Sequence, residues 1–197
     1  MTNAKYLGVH ISSDLSWTFH ITQTVNKANR TLGFLRRVLN ISSVKTKSKA
    51  FNTLVRPQLE YAAAVWDPHT KADIHRLDMV QRRGARYVCN KFHRRDSITK
   101  ILDKLNWPPL AQRRETARLS TLYKIAAGDT LIDPSERLLP LARRSRHYNS
   151  RSFLIPSCRT DVLKYSFFPR TIAEWNRLPE AAMEAEGLEG FKAFIKT

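Results

Sequence analysis

This chain is short of acids and cysteines, and each shortage narrows what it can do. Seventeen Asp and Glu face 34 Lys and Arg, for a formal net charge of +17. The few carboxylates are scattered as Asp14, Glu60, Asp67, Asp73, Asp78, Asp96, Asp103 and Glu115. A two-metal nucleotidyl-transfer or nuclease site needs such groups clustered. Asp67 and Asp73 flank a turn, but no third acid joins them, and the acids from Glu174 to Glu189 read as a solvated face. The two cysteines, Cys89 and Cys158, sit in no Cys-x-x-Cys or Cys/His cluster. That argues against structural zinc and suits a reducing compartment. His10, His20, His69, His75, His93 and His147 show no ligand spacing. No nucleophile elbow, zincin or phosphate-loop motif is present. No apolar run approaches the ~20 residues of a membrane span, and the first residues do not read as a signal peptide. The expectation is a nuclear or cytoplasmic chain with no membrane partner, no self-sufficient active site, no metal and no cofactor of its own.

What is present is helix, at lean hydrophobicity (42%). Trp17, Ile21, Val25, Ala28, Leu32, Leu35 and Leu39 recur at spacings of four and three, a helical stripe. Ser12, Ser13 and Asp14 supply turn and capping chemistry ahead of it. A second helix is predicted over Val44 to Trp66, kinked or split by Pro57. A third runs from about Ala72 to Phe92, a short fourth ends at Asn106, and a fifth follows Trp107-Pro108-Pro109 and ends at Gly128. Before the first helix, Tyr6-Leu7-Gly8-Val9 reads as a short strand with glycine at its centre, a sign of close approach by another group. It has no evident partner strand. Beyond Asp129 the texture changes: Phe153-Leu154-Ile155-Pro156 reads as a strand, Ser157 to Tyr165 as its return, and two helices close the chain. The predicted class is mainly α. Residues 1–13 are a strand remnant, 14–128 a helical body, and 129–197 a small mixed α/β region.

The cations are spread over several of these helices, as in a polyanion-binding surface. Lys27, Arg30, Arg36 and Arg37 lie on the first helix, and Arg82, Arg83 and Arg86 on the third. Arg113, Arg114 and Arg118 are expected on outer faces of the fifth, and Arg143, Arg144 and Arg146 form an exposed run. Lys45, Lys47 and Lys49 crowd the start of the second helix, where they oppose its dipole. Tyr87, Phe92 and Trp107 are interleaved with these cations, either as base-stacking rings or as core.

An ordered series of short motifs resembles one family. Lys5-Tyr6-Leu7-Gly8-Val9, then Asp14-Leu15-Ser16-Trp17 and His20-Ile21, is similar to the segment after the catalytic palm of non-LTR (LINE-type, jockey-like) retrotransposon reverse transcriptases. Lys27 to Arg37, Leu54 to Tyr61, Val65-Trp66-Asp67-Pro68 and Val80 to Arg83 continue it. So do Asn149-Ser150-Arg151, Arg159-Thr160-Asp161, Ser166 to Ile172 and Trp175 to Pro179. The resemblance implies a primer grip at Tyr6, Leu7 and Gly8, followed by a thumb and a C-terminal region. It also implies that the polymerase aspartates, and the Mg2+ that they bind, belong to a palm upstream of this segment. The expected partners are RNA, DNA or a hybrid duplex, and that palm. The expected contacts are Lys27, Arg30, Arg36, Arg37, Arg82, Arg83, Arg86 and the Arg143–Arg146 run. The alternative expectation is a stand-alone or domesticated interaction protein without polymerase function.

Overall fold

The structure is a computed structural model that describes residues 2–93, 95–141 and 151–195. It is mainly helical, and its only sheet among the described residues is a two-stranded antiparallel pair. The chain forms two compact units, Met1–Arg113 and Arg114–Thr197.

The first unit opens with a hairpin, not with a lone strand. Strand β1 (Asn3–Tyr6) pairs with β2 (Val9–Ser12) in a register running from Asn3↔Ser12 to Tyr6↔Val9. Leu7 and Gly8 form the turn, at φ 45° and 84°. Left-handed backbone at both positions is the type I′ turn, one of the two-residue turns that match the twist of their strands. The turn gives each strand the backbone partner that the sequence had left unassigned. Glycine adopts this conformation freely, but leucine does so only under strain. Tyr61 holds the strained residue, its hydroxyl donating to the Leu7 carbonyl at 2.9 Å. A Cβ added to Gly8 would stand 3.3 Å from the Tyr61 ring, so this ring makes the close approach that the glycine permits.

Helix α1 (Thr18–Val38) follows the predicted stripe and buries Ile21, Ala28, Leu32 and Leu35. Its start carries no side-chain cap; Asp14 instead accepts the Ser16 N–H at 3.0 Å within the preceding turn. The second predicted helix is broken into α2 (Val44–Ala50), a π-helical segment (Phe51–Val55), α3 (Arg56–Glu60) and α4 (Ala63–Trp66). Pro57 accounts for the first break. It has no N–H to donate, and its ring crowds the carbonyl four residues earlier. Widening the coil into π-turns makes room for both defects.

Helix α5 (Lys71–Val88) packs against α1 and α2, and α6 (Ile98–Leu105) packs against α5. Gly84 lets α5 sit directly on the π-helical segment, since a Cβ there would fall 2.2 Å from the Phe51 ring. Phe51 stacks in turn on Trp107, with ring centroids 4.4 Å apart. The buried carboxylate of Asp73 accepts hydrogen bonds from Thr18, Thr70 and Arg76, which ties the start of α5 to the start of α1.

The sequence changes texture at Asp129, but the second cluster of buried residues begins earlier, within α7 (Leu110–Ala126). Leu119, Leu122 and Ile125 of this helix join Ile172, Trp175, Met183 and Phe191. These come from α10 (Phe167–Trp175), α11 (Glu180–Met183) and α12 (Gly187–Ile195), which follow the short α8 (Pro134–Arg137) and α9 (Asp161–Lys164). The strand predicted at Phe153–Pro156 is only an isolated bridge between Phe153 and Pro140. Asn176 takes the place of a partner strand: its amide donates to the Phe153 carbonyl at 2.8 Å and accepts the Phe153 N–H at 3.0 Å. The predicted return strand contains α9, because the Thr160 hydroxyl accepts the Leu163 N–H and caps a helical turn there.

Candidate nucleic-acid interface

Helix α1 has no Asp or Glu anywhere in its length. Its core-facing side carries His20, Ile21, Thr24, Ala28, Leu32 and Leu35. At 3.6 residues per turn, the opposite side must carry Asn26, Arg30, Gly33 and Arg37. These four and Asn29 line an open groove of about 600 Å³. Arg36 lies toward α5 and donates to the Arg83 carbonyl at 3.3 Å. Arg83 donates back to the Asn29 side chain at 3.4 Å. Arg30, Arg36, Arg37 and Arg83 therefore gather around one acid-free stretch of α1. Its amides can donate and accept, and its guanidiniums can only donate.

Lys27 points elsewhere. It lines a cleft of about 460 Å³ with Lys5, His10, Gln58, Tyr61 and the Leu7–Gly8 turn. Leu7 and Gly8 thus share a cavity with a cation of α1, while Tyr6 ends β1 and is exposed. On one wall is His20, a buried ring whose Nδ1 accepts the His10 N–H at 3.2 Å. Burial, reinforced by the neighbouring His10, lowers its pKa from 6.5 to about 4. It is neutral at pH 7.

The other expected contacts divide. Arg82 is exposed on α5. Arg86 is committed to the protein itself, donating to the carbonyls of His93 at 3.2 Å and Asp96 at 3.3 Å. Arg143, Arg144 and Arg146 lie outside the described residues. Tyr87 and Trp107 are core residues, whereas Phe92 is exposed.

Two expectations about cations are corrected. Lys47 is buried; its ammonium donates to Asn90 at 2.8 Å and lies 5.1 Å from the centre of the Tyr87 ring. Arg114 and Arg118 do not lie on an outer face either, because both are buried. Arg118 donates to both carboxylate oxygens of Glu174, at 2.6 Å to Oε1. Arg113 forks onto both oxygens of Glu60, with Nη2 at 2.9 Å from Oε2. The Glu60 bond raises the Arg113 pKa. Burial lowers that of Arg118, against the opposing pull of Glu174.

Sequence reasoning missed Asn26, Asn29 and Gly33 as members of the α1 face. The helical spacing of Asn26, Arg30, Gly33 and Arg37 was the available signal. Among the described residues, no group of three His, Cys, Asp or Glu could hold a metal ion, and no helix is long and apolar enough to cross a membrane. Comparison with protein families, with curated proteins and with solved structures finds no match to this chain.

Proposed function

We propose that this chain grips a nucleic-acid backbone without catalysing chemistry on it, as the primer-grip, thumb and C-terminal part of a non-LTR retrotransposon reverse transcriptase. The observation that carries this reading is the acid-free outer side of α1, which carries Arg30 and Arg37, with Arg36 and Arg83 bonded along its α5 edge. Guanidiniums with amides between them bind phosphates and sugars without reading bases. The net charge of +17 supports the same reading at the scale of the whole chain. The polymerase aspartates and their Mg2+ then belong to a palm outside this segment, and that palm is a second partner. Such a role is exercised in the nucleus or cytoplasm.

The test is fluorescence anisotropy of the purified chain with a labelled RNA–DNA hybrid, double-stranded RNA and single strands at several salt concentrations. The expected result is binding that weakens steeply with salt and varies little with sequence. With primer, template, nucleotides and Mg2+, no DNA synthesis is expected. Absence of binding to every nucleic acid in dilute buffer overturns the proposal. The alternative, a stand-alone interaction protein, draws support from Phe34, Val38 and Ile41, which are large, apolar and exposed along the end of α1 and the turn after it. It predicts protein capture that persists at salt concentrations where nucleic acid is released.

A further inference from the structure

Gly33 stands at an interior position of α1, and nothing in the fold requires a glycine there. A glycine inside a helix costs stability relative to alanine. At Gly84 the reason is plain, since Phe51 fills the space that a side chain would need. At Gly33 a Cβ would meet a single atom within 4 Å, the mobile tip Nη1 of Arg37, at 3.9 Å. The backbone conformation is no explanation either, because Gly33 has no positive φ. The missing side chain leaves the floor of the groove between Asn26, Asn29, Arg30 and Arg37.

We infer that Gly33 is where a sugar–phosphate backbone presses against α1, with Arg30 and Arg37 gripping phosphates on either side. This rests on the nucleic-acid reading above and names the residue that sets how closely the strand approaches. Arg30 and Arg37 are seven residues apart, so their helix positions differ by about 10 Å along the axis. Along the axis of a duplex, three nucleotide steps of ~3.4 Å rise by the same amount. The bare helix surface between them admits a ribose or a phosphate oxygen, and the Asn26 and Asn29 amides can hydrogen-bond to either. No aromatic ring lines the groove, which favours backbone contact over base stacking.

The experiment compares wild type, Gly33→Ala, Gly33→Leu and the double variant Arg30→Ala/Arg37→Ala on the labelled RNA–DNA hybrid. Thermal unfolding of each is recorded alongside. Gly33→Leu keeps every charge but fills the groove. The inference expects a dissociation constant roughly tenfold weaker, an unchanged salt slope and an unfolding midpoint no lower than that of wild type. Gly33→Ala is expected to shift affinity less and to raise the midpoint. The arginine double variant is expected to lower the salt slope by about one per residue. Wild-type affinity in both glycine variants overturns the inference and leaves the broader reading standing. Failure of wild type to bind any nucleic acid overturns both.

Discussion

Helices α1 and α7 carry arginines at similar density in the sequence, yet the fold puts them to opposite uses. On α1, Arg30 and Arg37 line an open groove with no carboxylate beside them. On α7, Arg113 forks onto Glu60, and the buried Arg118 donates to Glu174. A buried guanidinium is tolerated only when its charge and its donors are met. The difference between the helices is therefore not in their cations but in where the few acids of the chain come to rest. Net charge counts both kinds of arginine alike, and only the first kind is available to a partner.

Mutations separate the two kinds, and the largest effect belongs to α7. Arg118→Ala strips Glu174 of its buried partner, leaving it only Arg170 at 3.5 Å, and is expected to destabilise the second unit by about 3 kcal/mol. Urea denaturation measures this; a loss below 1 kcal/mol would mean that Arg118 is no more structural than a surface cation. His20, on the inner side of α1, comes next and shows itself through pH. Its folded pKa of about 4 lies below its ordinary 6.5, so the unfolded chain binds the extra proton first. Stability from this residue is complete above about pH 6.5, declines as pH falls toward 4, and changes little below that. The loss is roughly 3 kcal/mol at most. His20→Gln should flatten unfolding midpoints across that window, and a slope identical to wild type would assign the acid sensitivity to another group. Arg113→Ala breaks a half-buried ion pair and should cost roughly 1 kcal/mol, read by the same denaturation experiment. Smallest in stability is the pair Arg30→Ala and Arg37→Ala, expected to leave the urea midpoint in place while weakening nucleic-acid binding. A fall in midpoint as large as that of Arg118→Ala would erase the contrast between the helices.

The long helices were legible because their apolar stripes are local. Every residue from Trp17 to Leu39 that the spacing pointed inward belongs to the first packing cluster or sits against it. The break at Pro57 was legible for the same reason, since it depends on one ring and one missing N–H. The hairpin was not. Its strands are too short to show alternation, and Leu-Gly lacks the Asn-Gly or Asp-Gly signature of a two-residue turn. The burial of Arg118 was hidden by distance, because Glu174 lies 56 residues further along the chain. On the outer side of α1 the arginines stood out in sequence, but the glycine between them did not. Its meaning depends on what a side chain would touch, and only coordinates show that.

The π-helical segment Phe51–Val55 amounts to a helix holding one residue more than an α-coil needs. Closing this coil into ordinary α-turns while keeping all five residues would rotate everything after it by about 100°. Leu59 would swing out of the interior, and the phenol of Tyr61 would leave the hairpin tip that it now latches. The widened turns thus keep the phase: the hairpin's place beside α1 depends on how one surplus residue is absorbed some forty residues downstream.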